Sequence, residues 1–261
     1  MSDAALHISD LSVTQGGRTL LQKVSFDLPK GTFCGLIGSN GAGKTTLLRA
    51  ILGLVPVQGR IVSGLVTGYV PQKLHFEPDL PIRVRDFVGL GLDGQRFGLV
   101  LPSRARAERI DAALRDVEAL DLAHQRIGRL SGGQQQRVMI AHALVRAPDL
   151  LLLDEPLANL DIKATAEIVA LLKRLSVARQ MTILLSAHEM TPLLPVMDKI
   201  LYLANGKAVC GKVKDVVRTE VLSALYGYHI DVIRVHGRVL VVAGGTDHEH
   251  CHDQMHVVEI P

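Results

Sequence analysis

Tryptophan is absent from the 261 residues, and aromatic side chains make up only 3% of them. Without rings there is little on which to stack successive bases, so single-stranded nucleic acid is not an expected ligand. The charge points the same way, because 29 basic against 26 acidic residues leave only +3, too little for a polyanion-binding surface. Cysteine is scarce too: Cys34, Cys210 and Cys251 are odd in number and far apart, which does not suggest a disulfide framework. Cys34 falls in an apolar run and reads as core. No apolar run approaches the ~18 residues needed to span a bilayer, and the N-terminus lacks the basic-then-apolar order of a signal sequence. A cytoplasmic chain is therefore expected. Apolar residues nevertheless make up 48% of the sequence. That excess calls for parallel strands buried on both faces and for a surface that meets another protein.

The strongest signal is Gly38-Ser39-Asn40-Gly41-Ala42-Gly43-Lys44-Thr45-Thr46, which fits G-x-x-x-x-G-K-[ST] without a mismatch. Phe33 to Ile37 leads in as a strand, and Leu47, Leu48, Ile51 and Leu52 follow at helical spacing up to Gly53, a C′ glycine. Glycines let the backbone wrap an anion, so that successive N–H groups and the positive helix end face it. Lys44 would reach the β- and γ-phosphates of a nucleotide, and the Thr45 hydroxyl would hold Mg²⁺.

Around that loop the chain alternates strands and helices. Leu6 to Asp27 reads as two antiparallel strands about Gly16-Gly17. Arg60 to Val70 is strand-like up to Pro71-Gln72. From Lys73 to Pro102 prolines and glycines are frequent, and from Arg104 to Leu120 the residues Ile110, Leu114, Val117 and Leu120 mark one helix face. This part, about 73–148, reads as an inserted helical subdomain. Ser131 caps a further helix that runs to Pro148 behind the glycine-rich Leu130-Ser131-Gly132-Gly133-Gln134. Leu150 to Leu153 is a central strand ending in Asp154-Glu155. Asp154 is placed to hold Mg²⁺ and Glu155 to take a proton from an attacking water. A helix from about Ile162 to Ala178 follows Asn159-Leu160-Asp161, and the strand Thr182 to Leu185 closes on Ser186-Ala187-His188-Glu189. Ile200 to Leu203 turns at Asn205-Gly206 into Lys207 to Cys210. After a helix around Val213 to Tyr226, Ile230 to Val235 and Arg238 to Val242 read as a second hairpin, leaving about forty residues outside the core.

Taken together and in this order, Gly38 to Thr45, Gln72, Leu130 to Gln134, Leu150 to Glu155, Asp161 and His188 resemble the ATP-binding subunit of ABC transporters. The resemblance covers residues from about 6 to 218. It implies an α/β, RecA-like P-loop NTPase core (1–218) with an antiparallel β subdomain, the inserted helical subdomain and a small C-terminal appendage (219–261). It also implies an ATPase using ATP and Mg²⁺, in which two copies pair head to tail with ATP between the P-loop of one and Ser131, Gly133 and Gln134 of the other. On that analogy Gln72 couples the nucleotide to the membrane partner and contributes to the Mg²⁺ site, Asp161 couples the two sites, and His188 positions the γ-phosphate and the attacking water. One departure stands out. Members of the family commonly carry an aromatic ring where Gln15 stands, stacked on adenine.

The segment Val84-Arg85-Asp86-Phe87-Val88-Gly89-Leu90-Gly91 and the tail from Leu225 to Val242 look like importers of zinc and manganese. Iron–siderophore and haem importers share much of this pattern. The resemblance implies polytopic permease subunits as partners, an extracytoplasmic metal-binding protein acting through them, and a place on the cytoplasmic face of the inner membrane. A soluble ABC-type ATPase and a metal-binding regulator are the remaining readings; the absence of a second cassette or coiled-coil insertion weighs against the first, and intact Lys44 and Glu155 against the second. His248, His250, Cys251, His252 and His256 put five borderline-to-soft metal ligands within nine residues. They form either a solvated tail or an element that binds zinc.

Overall fold

In the computed structural model residues 4–72, 76–93, 103–235 and 238–243 are described. The strands are β1 (Ala4–Gln15), β2 (Arg18–Pro29), β3 (Phe33–Ile37), β4 (Gln58–Val62), β5 (Thr67–Val70), β6 (Leu150–Leu153), β7 (Thr182–Ala187), β8 (Lys199–Ala204), β9 (Lys207–Gly211), β10 (Ile230–Val235) and β11 (Arg238–Ala243). The helices are α1 (Lys44–Ile51), α2 (Val84–Asp93), α3 (Arg104–Asp116), α4 (Gly132–Leu144), α5 (Ile162–Arg179), α6 (Val213–Val216) and α7 (Thr219–Tyr226).

Six strands form the central sheet in the order β5-β6-β7-β3-β8-β9. All its pairs are parallel except β8 with β9. Parallel register brings the strand ends together at one edge: Ile37 pairs with Ala187 and Tyr202, and Val70 with Leu153. Whatever follows β3, β5, β6 and β7 in sequence therefore emerges side by side, as ligand sites in open α/β sheets require.

The leucine run shows why this sheet is central. A strand sends alternate side chains to opposite faces, so Leu150 and Leu152 enter one apolar layer with α1, β1 and β2. Leu151 and Leu153 enter the other, with α4 and α5. All four are fully buried, and each such side chain contributes about 1.5–3 kcal/mol. β3 divides likewise, Cys34 and Leu36 to the first layer and Phe33 and Ile37 to the second.

Beside the first layer lies an antiparallel sheet, β2-β1-β4. Gln15 pairs with Arg18 across Gly16 and Gly17, whose φ of 56° and 75° make a type I′ turn. Asn205 and Gly206, at 49° and 72°, make the same turn between β8 and β9.

Several elements differ from expectation. The stretch from Arg60 to Val70 is two strands in different sheets, broken at Ser63-Gly64. The residues Val84 to Asp93 lie inside the part expected to be helical, where the sequence delimits no single helix, and form a helix that contains Gly89 and Gly91. A Cβ on Gly91 would stand 2.5 Å from His142 O, and one on Gly89 2.3 Å from the Arg106 guanidinium. These glycines let α2 lie close on its neighbours and do not break it. α3 stops at Asp116, and Glu118 at φ 56° turns the chain, so Leu120 leaves the predicted face and is 38% exposed. Val213 to Tyr226 is two short helices. The part of 219–261 that is described does not stand outside the core: Leu222, Leu225, Ile230 and Val239 are buried in the α4 and α5 layer.

Candidate nucleotide site

The loop from Gly38 to Gly43 joins β3 to α1. Gly43 is the N-cap of α1 at φ 103°, and no side chain caps that helix. Its first N–H groups are thus left for an anion. Glycine is required by space as well as by φ: a Cβ on Gly38 would lie 2.3 Å from Leu203 O. Ser39, Asn40 and Gly41 are exposed, Ala42 is buried against the first layer, and Thr45 and Thr46 are partly exposed in the first turn of α1.

Lys44 is only 5% exposed. Its ammonium donates to Gly38 O at 2.7 Å and Ser39 O at 3.2 Å, and lies 3.3 Å from His188 Nδ1. An ammonium can only donate, so Nδ1 is the acceptor and the imidazole proton sits on Nε2. That nitrogen lies 2.7 Å from Glu155 Oε1. Lys44 Nζ is itself 3.7 Å from the same oxygen, while Gln72 Nε2 donates to Glu155 Oε2 at 2.5 Å. Burial pulls the Lys44 pKa below its ordinary value, and the carboxylates of Glu155 and Asp154 oppose that pull.

Glu155 holds a left-handed φ of 48°, a conformation that costs a non-glycine residue about 1–3 kcal/mol and persists where the surroundings impose it. Ser186 is part of what imposes it. Its hydroxyl accepts from Glu155 N at 2.8 Å and donates to Asp154 Oδ1 at 2.8 Å. The other oxygen, Asp154 Oδ2, is buried without a hydrogen-bond partner. An unpaired carboxylate oxygen next to the P-loop is costly unless a cation meets it, and hard divalent cations take oxygen ligands. Asp154 therefore fits Mg²⁺, with Thr45 in the first turn of α1 and Gln72 bonded to the next residue, Glu155, as the further oxygen donors.

Ser131 begins α4 in a capping box: Gln134 N donates to its hydroxyl at 3.4 Å, and Ser131 N donates to Gln134 Oε1 at 3.0 Å. Asp161 caps α5, accepting from Ala164 N at 2.7 Å. These two helix starts, with Gly133, Arg137 and Lys163, line a cleft of about 320 Å³. Among the described residues the Lys44 ammonium and the Glu155 carboxylate meet residues 38, 39, 72 and 188 and each other, and none of these lines that cleft. Between Glu155 and the segment after His188 opens a cavity of about 730 Å³, walled by Leu157, Leu160, Val169, Pro192 and Val196.

Ser186 escaped the sequence reading, since a single serine at a strand end carries no pattern. The histidines and cysteine at 248–256 lie outside the described residues. Among the described residues no group of three or more His, Cys, Asp or Glu is arranged to hold a metal ion, and no helix is long and apolar enough to cross a membrane.

Residues 21–158 match the family of ABC transporters. The zinc import ATP-binding protein ZnuC of Roseobacter denitrificans is 39% identical over 206 residues, 78% of this chain and 76% of its own. The protein of the same name from Pseudomonas fluorescens is 32% identical over 256 residues, 97% of this chain and 91% of its own. Among solved structures, a chain of an ABC transporter assigned to the metal-chelate type, in an inward-facing conformation, superposes with a TM-score of 0.79 at 28% identity. That match covers 92% of this chain and 96% of the other.

Proposed function

The chain belongs to the ABC transporter family, and on that premise we propose that it is the ATP-hydrolysing subunit energising a membrane importer for a divalent metal ion, zinc or manganese. The observation that carries the catalytic part is the cluster of Lys44, Glu155, His188 and Gln72 at the carboxyl edge of the sheet. The relatives named as zinc import proteins support zinc as the cargo.

Each residue then has a role. The N–H groups of 38–46 cradle the phosphates, and Lys44 exchanges its carbonyl partners for the β- and γ-oxygens. Thr45, Asp154 and Gln72 hold Mg²⁺, which supplies positive charge to the phosphoryl oxygens. Glu155 accepts the proton of the attacking water, and His188 and Gln72 hold its two oxygens in place. Because the cleft at Ser131, Gly133 and Gln134 is separate from the P-loop, these residues act on nucleotide bound to a second copy. ATP then joins two subunits, and its hydrolysis removes the ligand that held them together.

The same reading divides the chain into an ATP-binding unit (1–218) with a helical subdomain (about 73–148) and a C-terminal part (219–261). It places the dimer on the cytoplasmic face of the membrane, docked on permease subunits that an extracytoplasmic metal-binding protein loads. His248, His250, Cys251, His252 and His256 form a zinc-responsive tail. The test is to co-purify the chain with its permease and binding protein and titrate metal ions. Hydrolysis stimulated by zinc or manganese, and not by an iron chelate or haem, supports the proposal; stimulation by the latter alone contradicts it. Deletion of 248–256 should abolish any direct effect of micromolar zinc on turnover, and an effect that survives removes the tail from the account.

A further inference from the structure

The outer face of the antiparallel sheet carries a second cluster of reactive side chains, outside the nucleotide site. His7 and Ser9 alternate with the buried Leu6 and Ile8 on β1 and so share its solvent face. His7 pairs with Asp27 on β2, and Ser9 with Arg60 on β4. Cross-strand partners stand on the same side of a sheet, so Asp27, His7, Ser9 and Arg60 form a line across three strands.

The contacts along that line run in one direction. His7 Nδ1 is bonded to Asp27 Oδ1, and Nε2 lies 2.7 Å from Ser9 Oγ. A carboxylate only accepts, so Nδ1 carries the proton and the Nε2 of the neutral ring accepts from the Ser9 hydroxyl. Asp27 is itself pinned, since Lys199 Nζ donates to its backbone oxygen at 3.2 Å. Ser9 differs in this from Ser12 and Ser25 on the same two strands, whose hydroxyls accept from backbone: Lys23 N at 3.0 Å and Asp10 N at 2.8 Å.

The backbone beside Ser9 is unusual as well. Asp10 holds a left-handed φ of 49°, and the register of β1 shifts there against both neighbours, between Ile8 and Leu11 on one side and between Ser9 and Ser12 on the other. Bulges re-aim the side chains next to them, and left-handed non-glycine residues gather at functional sites. A Cβ on Gly59 would stand 2.4 Å from Asp10 O, so β4 closes on this bend and holds it.

We propose that Ser9, His7 and Asp27 form a second catalytic site, which hydrolyses small carboxylic esters with good leaving groups through an acyl-Ser9 intermediate. Ser9 Oγ bonds to the acyl carbon while its proton passes to His7 Nε2; the bond to the leaving oxygen breaks, and Nε2 gives that oxygen the proton. Water then repeats the exchange, its oxygen bonding to the acyl carbon, and the carboxylic acid leaves with Ser9 restored. Asp27 stays ionised and keeps the imidazole in the tautomer that can accept, which makes it a positioning residue. Arg60 supplies positive charge for the developing oxyanion. His7 and Ser9 are partly exposed and Asp27 is exposed, which suits a small acyl group. This site and the nucleotide site do not depend on one another.

The test uses the full chain and p-nitrophenyl acetate, with nitrophenolate release followed by absorbance and the acetylated residue located by peptide mass spectrometry. Acetyl is expected on Ser9. His7→Gln keeps a polar side chain but not the base, and should slow Ser9 acetylation by about 10²-fold. Ser9→Cys should retain the acylation that Ser9→Ala loses. Asp27→Asn should slow acetylation too and move the His7 proton to Nε2, read from the nitrogen NMR shifts of the ring; a purely structural role for Asp27 would leave the tautomer unchanged. These variants should hydrolyse ATP as the unaltered protein does, which shows that they fold. Acetyl on lysines and not on Ser9, or Ser9 acetylation in His7→Gln at the unaltered rate, overturns the proposal.

Discussion

His188 donates from Nε2 to Oε1 of Glu155 at 2.7 Å. Its other nitrogen accepts from Lys44, so the imidazole fixes the carboxylate's orientation relative to the P-loop lysine. Replacing it with alanine leaves the Glu155 carboxylate held by Gln72 and Lys44. His188→Ala should lower kcat by about 10²-fold or more, the range of a lost proton-transfer arrangement, while nucleotide binding changes little because the phosphate N–H groups are untouched. A nucleotide Kd weakened in proportion to kcat would show that His188 serves binding instead.

Ser186 bridges Asp154 Oδ1 and Glu155 N through one hydroxyl. Ser186→Ala leaves a buried carboxylate oxygen and a buried N–H unpaired, at a cost of about 1–3 kcal/mol. The left-handed Glu155 backbone is then free to relax, so hydrolysis should fall as well. Urea unfolding and turnover of the variant check both, and a variant as stable as the original would remove the bridge from the account.

Gly91 tests the packing of α2. The first heavy atom met by an added Cβ is a backbone oxygen, His142 O at 2.5 Å, which cannot swing aside as a side chain can. Gly91→Ala should destabilise by about 1–3 kcal/mol although alanine is the better helix former. A stabilised variant would contradict the close approach of α2 to α4 at Gly91.

Burial holds the His142 imidazole below its ordinary pKa of 6.5, with its ring stacked 4.8 Å from that of Phe87. The unfolded chain thus takes up this proton at a pH where the folded chain does not. Stability from this site is fully present above the unfolded value of 6.5 and falls as the pH drops from there toward the lowered folded value. Urea midpoints measured at a series of pH values on both sides of 6.5 should fall more steeply with acid in the unaltered protein than in His142→Gln. Parallel curves would contradict the assignment.

What could be read from the sequence was whatever local chemistry dictates. Gly38 to Thr45 needs its residue types to wrap an anion, and the four leucines before Asp154 read as a strand buried on both faces, as they are in the structure. Asn205-Gly206 names its own turn. What could not be read depends on distant neighbours. Gly89 and Gly91 show their role only once α3 and α4 are packed against them. Ser186 has meaning only beside Asp154, 32 positions earlier. His188 reaches Lys44 across 144 residues, and at the sequence level its role rested on family resemblance and not on spacing.

Hydrolysis depends above all on Glu155 as the base. In Glu155→Gln the amide keeps the size of the side chain but cannot accept the water's proton. ATP and Mg²⁺ should still bind, a nucleotide-bridged dimer should accumulate, and single-turnover hydrolysis should slow by about 10²–10⁴-fold. Hydrolysis at the rate of the unaltered protein would contradict the account.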